Sequence, residues 1–198
     1  KIVNFILAVY IEVFRGTPMI VQAMVIYYGS AMAGFDMDRL TAAFIIVSIN
    51  TGAYMAEIFR GGIISVDEGQ FEAAHAIGMN HFHTMSNVVM PQVFRNILPA
   101  TGNEFVINIK DTSVLNVISV SELFFATNSI AGNNFHYFEA FFIASVIYLV
   151  MTFTVTRILL FTEKKMDGPK NYILYANQMQ VGPPGHTLKR TKSNGADR

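Results

Sequence analysis

The chain has 198 residues, of which 52% are hydrophobic and only 14% charged, and its mean hydropathy is +0.38. Soluble domains carry about 25% charged residues, so this deficit points to a membrane protein that keeps polar loops. Lys plus Arg balance Asp plus Glu at 14 each, which leaves no positive field for nucleic acid, and the lack of cysteine excludes disulfide and thiol chemistry.

In chain order, Lys1 to Phe14 is apolar but short, with Glu12 near its end. It is expected to lie on or enter the membrane rather than cross it, since a span needs about 20 residues. Arg15-Gly16-Thr17-Pro18 breaks it, and Thr17 as a cap with Pro18 in the first helical position predicts a new helix. A first span runs from about Met19 to Gly34, and a turn with Asp36 and Asp38 leads to a second from about Leu40 to Phe59. Glu57 lies one helical turn before Arg60, so the two are placed to pair near the membrane edge.

The stretch Asp67 to Gln92 is the longest polar interruption. Asp67 is placed to cap a helix and Gln70 to close a capping box with it. Gly78 suits the left-handed position past a helix end. Asn80 is placed to cap a second short helix, and Pro91 marks where that one stops or bends. The pattern predicts two short helices joined at a glycine elbow, outside the membrane core. A third span, from about Gly102 to Val120, follows a segment interrupted by Pro99 and is unusually polar. Residues 121–137 read as a loop with Asn, Gly and Ser. The fourth span, about Phe138 to Phe161, is the cleanest. Residues 167–198 lose apolar periodicity and are expected to form a disordered tail.

The elbow carries Glu72-Ala73-Ala74, then Gly78 four residues later, then Met90-Pro91-Gln92. This resembles the EAA loop of bacterial ABC importer permeases. EVFRGTPMIVQ, TGAYMAEIFRGGI and NEFVINIKDTSVLNVI are similar to the polar amino-acid (histidine/glutamine-type) branch of that family, and the resemblance covers about Glu12 to Lys165. It implies an all-α, polytopic membrane helical bundle with a cytoplasmic coupling helix, in which residues 1–166 form the transmembrane domain. It implies that Phe71, Glu72, Ala73, Ala74 and Gly78 meet a separate ABC ATPase. A second permease subunit, identical or not, and an external amino-acid-binding protein are the other implied partners, with the lipid bilayer of the cell membrane. Neither cofactor nor metal is implied. The family usually has one more span upstream, so the opening on Lys1 rather than Met is expected to mark a missing segment. Among polar amino acids, glutamine or glutamate is the favoured substrate.

Glu104, Asn108 and Asp111 stand at i, i+4 and i+7 and therefore share one helical face. Ionisable groups inside a membrane are costly and mark a pathway by default. Glu104 or Asp111 suits a substrate ammonium, and Lys110 or a helix N-terminus suits its carboxylate. The competing reading makes Lys110 and Asp111 structural ion pairs at helix junctions. A different function, an ion-coupled carrier or channel, would use Glu104, Lys110 and Asp111 as relay groups. His75, His81 and His83 lack the spacing of a metal site, and no GxxxxGK[ST] or GxSxG motif occurs, so the chain is expected not to be an enzyme. Basic residues (Lys1, Arg15, Arg60, Arg95, Lys164, Lys165, Lys170) gather on one side, against Arg39 on the other. That bias predicts a cytoplasmic start, elbow and C-terminus.

Overall fold

The computed structural model describes residues 1–166, so the expected tail lies outside the described residues. The fold is an all-α, polytopic membrane bundle. Two helices are each long and apolar enough to cross a bilayer, α3 (Arg39–Ile64) and α8 (Tyr137–Met166). The described residues hold up to four spans if each of two bent helix pairs counts as one.

The first bent pair is α1 (Ile2–Gly16) and α2 (Met19–Met32), which turn by 114° at Thr17-Pro18. The expected helix start is displaced by one residue. Pro18 has extended backbone, and its carbonyl accepts the Val21 and Gln22 amides of the first turn of α2. Thr17 does not cap α2; its hydroxyl donates back to the Val13 carbonyl at 2.7 Å and so finishes α1. At 14 residues α2 rises about 21 Å, too little to cross alone.

After α2, Asp38 caps α3 by accepting from the Leu40 and Thr41 amides at 3.1 and 3.0 Å. Its hydrogen bonds from the Thr41 side chain and amide hold the exposed Asp38 carboxyl below the usual carboxylate range. Ala23, Ala42, Ala43, Ile46, Leu115 and Ile118 then form one buried cluster joining α2, α3 and the end of the third span. In lipid the hydrophobic effect between helices vanishes, and small residues such as these alanines hold helices together by letting them pack closely.

The elbow differs from the expected pair of short helices. The first, α4 (Glu68–Ala76), is short, but α5 (His81–Thr84) passes through a π-turn at Met85–Val89 into α6 (Met90–Asp111). Pro91 therefore does not stop the second helix. The wide turn before it accommodates the ring, and the Gln92 side-chain amide donates to the Val88 carbonyl at 2.9 Å. Helix α6 also continues through Pro99. A second buried cluster, Val66, Val89, Val93 and Ile97, locks the elbow to the end of α3.

The third span is α-helical only to Asp111 and continues as a 3₁₀ segment, Thr112–Ile118, that ends at Ser119 with φ 60°. The expected loop at 121–137 contains a 12-residue helix, α7 (Leu123–Asn134). The reason is Glu122, whose carboxylate caps α7 by accepting the Phe124 and Phe125 amides. It also accepts from the Tyr148 hydroxyl at 3.0 Å, which ties α7 to α8.

Candidate functional site

Two regions of the bundle carry polar groups beyond what folding needs. On α6, Glu104 is buried at 8% exposure, Asn108 is half-buried and Asp111 is exposed. The shared face is thus graded from closed to open along one helix. Asn108 accepts from the Thr51 hydroxyl of α3 at 3.2 Å. Among the described residues, no hydrogen-bond donor or cation lies within bonding distance of the Glu104 carboxylate. One turn before it, the buried Thr101 hydroxyl also lacks a partner. A cationic guest would supply the counter-charge that the described residues do not give this carboxylate.

Lys110 does not join this face. Six residues from Glu104 place it about 120° around the helix, and it is exposed. Among the described residues neither Lys110 nor Asp111 forms an ion pair.

At the elbow, Asp67 caps α4 by accepting from the Gly69 amide at 2.8 Å. The capping box does not close, because the Gln70 carboxamide turns away to accept from Gln92 at 3.3 Å. Gly78 has φ +83° and completes a left-handed helix stop. Its amide donates to the His75 carbonyl, and the Met79 amide to the Ala74 carbonyl. Asn80 then caps α5 by accepting from the His83 amide at 2.9 Å. Of the five residues assigned to the ATPase contact, Glu72, Ala73 and Gly78 are exposed. Phe71 instead packs against the buried Val66–Val89 cluster, and Ala74 is 4% exposed. These two hold the elbow onto the bundle. His75, His81 and His83 are exposed, and no metal-binding group of His, Asp and Glu occurs among the described residues.

A third polar set, apart from its Glu57–Arg60 pair, escaped sequence reasoning. The Gln22 side-chain amide donates to the carbonyls of Phe14 and Thr17 and to the Thr17 hydroxyl, all at 2.9 Å. Its own oxygen accepts from Asn50 of α3 at 2.9 Å. About two helix turns along α3 from Asn50, Glu57 pairs with Arg60 at 2.7 Å, as its spacing predicts, and also with Arg15 at 3.4 Å. The Tyr10 hydroxyl adds a bond to the Ile49 carbonyl at 2.6 Å. The Gln22 and Asn50 amides thus satisfy the carbonyls at the broken end of α1, while the Tyr10 bond and the Arg15–Glu57 pair tie α1 to α3. The available signal was the amide side chain of Gln22, four residues past Pro18, facing Asn50 in an otherwise apolar span.

Comparison with known proteins gives a consistent result. A family model described as the binding-protein-dependent transport system inner membrane component matches residues 1–168. The glutamine transport system permease protein GlnP of Escherichia coli is 41% identical over 167 residues, covering 83% of this chain and 76% of that protein. The arginine transport system permease protein ArtQ of Bacillus subtilis is 36% identical over 160 residues, covering 80% and 73%. A solved chain, described as the crystal structure of an amino acid ABC transporter with histidines, is similar with TM-score 0.76 at 42% identity, over 80% of this chain and 74% of that one.

Proposed function

This chain belongs to the binding-protein-dependent transport system inner membrane components and is an amino-acid ABC transporter permease subunit, and from that premise we propose its cargo, its contacts and its orientation. It is a transport subunit, not an enzyme. The cargo is glutamine or glutamate. Glutamine is favoured by the 41% identity to a glutamine permease, whereas the 36% identical arginine permease marks how close other cargoes lie.

Residues 1–166 act as the transmembrane domain and residues 67–92 as the coupling loop, with the elbow and C-terminus on the cytoplasmic side. A separate ABC ATPase grips the elbow, a binding protein delivers the amino acid from outside, and a second permease subunit completes the pathway. Within the pathway Glu104 receives the substrate ammonium. Asn108 and Asp111 extend the same face toward solvent, and Lys110 contributes from the neighbouring face.

The observation that carries the substrate assignment is the burial of Glu104 without a partner. Replacing it with Gln keeps shape and removes charge. Glu104→Gln is expected to lower uptake and substrate-stimulated ATP hydrolysis together in proteoliposomes while assembly survives. Unchanged uptake and stimulation would remove Glu104 from the pathway. An ion-coupled carrier would use the same face of α6, yet it gives the elbow no task.

A further inference from the structure

We propose that the groove between α1 and the last turns of α3 is a phospholipid site selective for phosphatidylethanolamine, with the lipid phosphate on Arg15 and Arg60 and its ammonium on Glu12. None of the residues lining this groove belongs to the polar face of α6 or to the elbow.

The sequence of α1 builds one wall of the groove. At about 100° per residue, Asn4, Ala8, Glu12 and Arg15 fall within an arc of about 80°. Ile2, Ile6, Val9 and Val13 flank this stripe on one side and are all exposed. Leu7 and Ile11 flank it on the other and line the groove, which has a volume of about 500 Å³. A 15-residue helix with one polar stripe and an apolar flank is too short to span and suits the membrane interface. Its 114° turn against α2 lays it nearer the membrane plane than the normal where α2 crosses. The Tyr10 hydroxyl bond to Ile49 and the Arg15 guanidinium over the Tyr54 ring hold it against α3. Acyl chains thus reach the groove along Leu7, Ala8 and Ile11, and the charged end is left for a headgroup.

The charges at that end select the headgroup. Two guanidinium groups share the Glu57 carboxylate: Arg60 reaches it through Nε at 2.9 Å and Nη2 at 2.7 Å, and Arg15 through Nη1 at 3.4 Å. The trio keeps one net positive charge, and Arg60 Nη1 and Arg15 Nη2 still carry protons for a phosphate. Glu12 is exposed, stands three residues before Arg15 and forms no ion pair among the described residues. A headgroup with an anionic phosphate and a proton-bearing ammonium two carbons away matches both charges. Phosphatidylglycerol offers no cation to Glu12. The three methyl groups of phosphatidylcholine leave its nitrogen no proton to donate. Loss of one charge-assisted hydrogen bond separates such lipids by about tenfold.

The test uses the purified permease assembly, stripped of lipid in mild detergent. It is titrated with phosphatidylethanolamine, phosphatidylcholine or phosphatidylglycerol of identical acyl chains, and bound lipid is counted by native mass spectrometry. The parent is expected to bind phosphatidylethanolamine about tenfold more tightly than either other lipid. Glu12→Gln is expected to erase the preference over phosphatidylcholine, with the melting midpoint of the lipid-free protein unchanged. Ala8→Phe fills the groove from an exposed position and is expected to remove one tightly bound phosphatidylethanolamine per copy of this chain. Equal binding of phosphatidylethanolamine and phosphatidylcholine by the parent, or a preference that survives Glu12→Gln, would overturn the proposal. Tighter binding of phosphatidylglycerol would make the groove an anionic-lipid surface and overturn it as well. If the parent holds no lipid tightly, another polypeptide segment covers the groove and the lipid assignment falls.

Discussion

Replacing Gly62 by alanine sets two effects of known size against each other. Gly62 is buried where α3 crosses α6, and a Cβ built on it falls on the Ile97 Cγ2 methyl and 3.2 Å from Val93 Cγ1. Alanine is a better helix former than glycine by about 1 kcal/mol. Inserting a methyl into a filled contact costs about 1–3 kcal/mol. The upper end applies here, because the clashing methyl is branched at Cβ and cannot swing away without moving Ile97 itself, which is 5% exposed in a buried cluster. The net expectation is a loss of about 2 kcal/mol, or about 4–8 °C in melting midpoint for a chain of this size. Thermal midpoints read by size-exclusion chromatography in detergent measure it. Ile97→Ala removes the clash and leaves the helix gain, so the double variant is expected to lose about 3 kcal/mol less than the sum of the single variants. Strict additivity, or a Gly62→Ala midpoint at or above the parent's, would refute the close approach of α3 to α6.

Two more perturbations follow from named bonds. Gln22→Leu removes the donor from the Thr17 carbonyl and leaves Asn50 and the Phe14 carbonyl only their mutual 3.4 Å bond, so it is expected to cost about 2–4 kcal/mol; in the Asn50→Leu background it should cost less, and the same melting assay reads the non-additivity. At Gly78, φ +83° with open space around the Cβ position makes strain the only penalty: Asn should be tolerated best, Ala should cost about 1 kcal/mol and Val more, and ATPase co-purification should fall in that order.

What could be read from the sequence were the features set by local chemistry. The long apolar runs of α3 and α8, the Glu57–Arg60 pair and the Gly78 stop all depend on residues within a turn or so of each other. What could not be read depended on distant partners. Gln70 leaves its own capping box for Gln92, 22 residues on. Thr17 donates its hydroxyl proton to the helix behind it and accepts only the Gln22 side chain from the helix ahead, so it caps no amide there. Glu122 starts α7 in an Asn-containing stretch, its carboxylate accepting the Phe124 and Phe125 amides and, from α8, the Tyr148 hydroxyl. Phe71 and Ala74 look equivalent to Glu72 and Ala73 in the motif, and only the packing of Phe71 against the Val66 cluster and the burial of Ala74 show that they face inward. On α6, helical periodicity alone aligned Glu104 with Asn108 and Asp111, but burial separates them, and only the fold reveals that Glu104 has no partner among the described residues.

The account is tested most directly by glutamine entry into proteoliposomes that hold the full permease assembly, with binding protein on the substrate side and ATP on the other. Entry should require all three components and stop when the ATPase is omitted. Glutamine entry at the same rate without the ATPase would mean that the elbow transmits nothing, and the chain would have to be understood as a carrier.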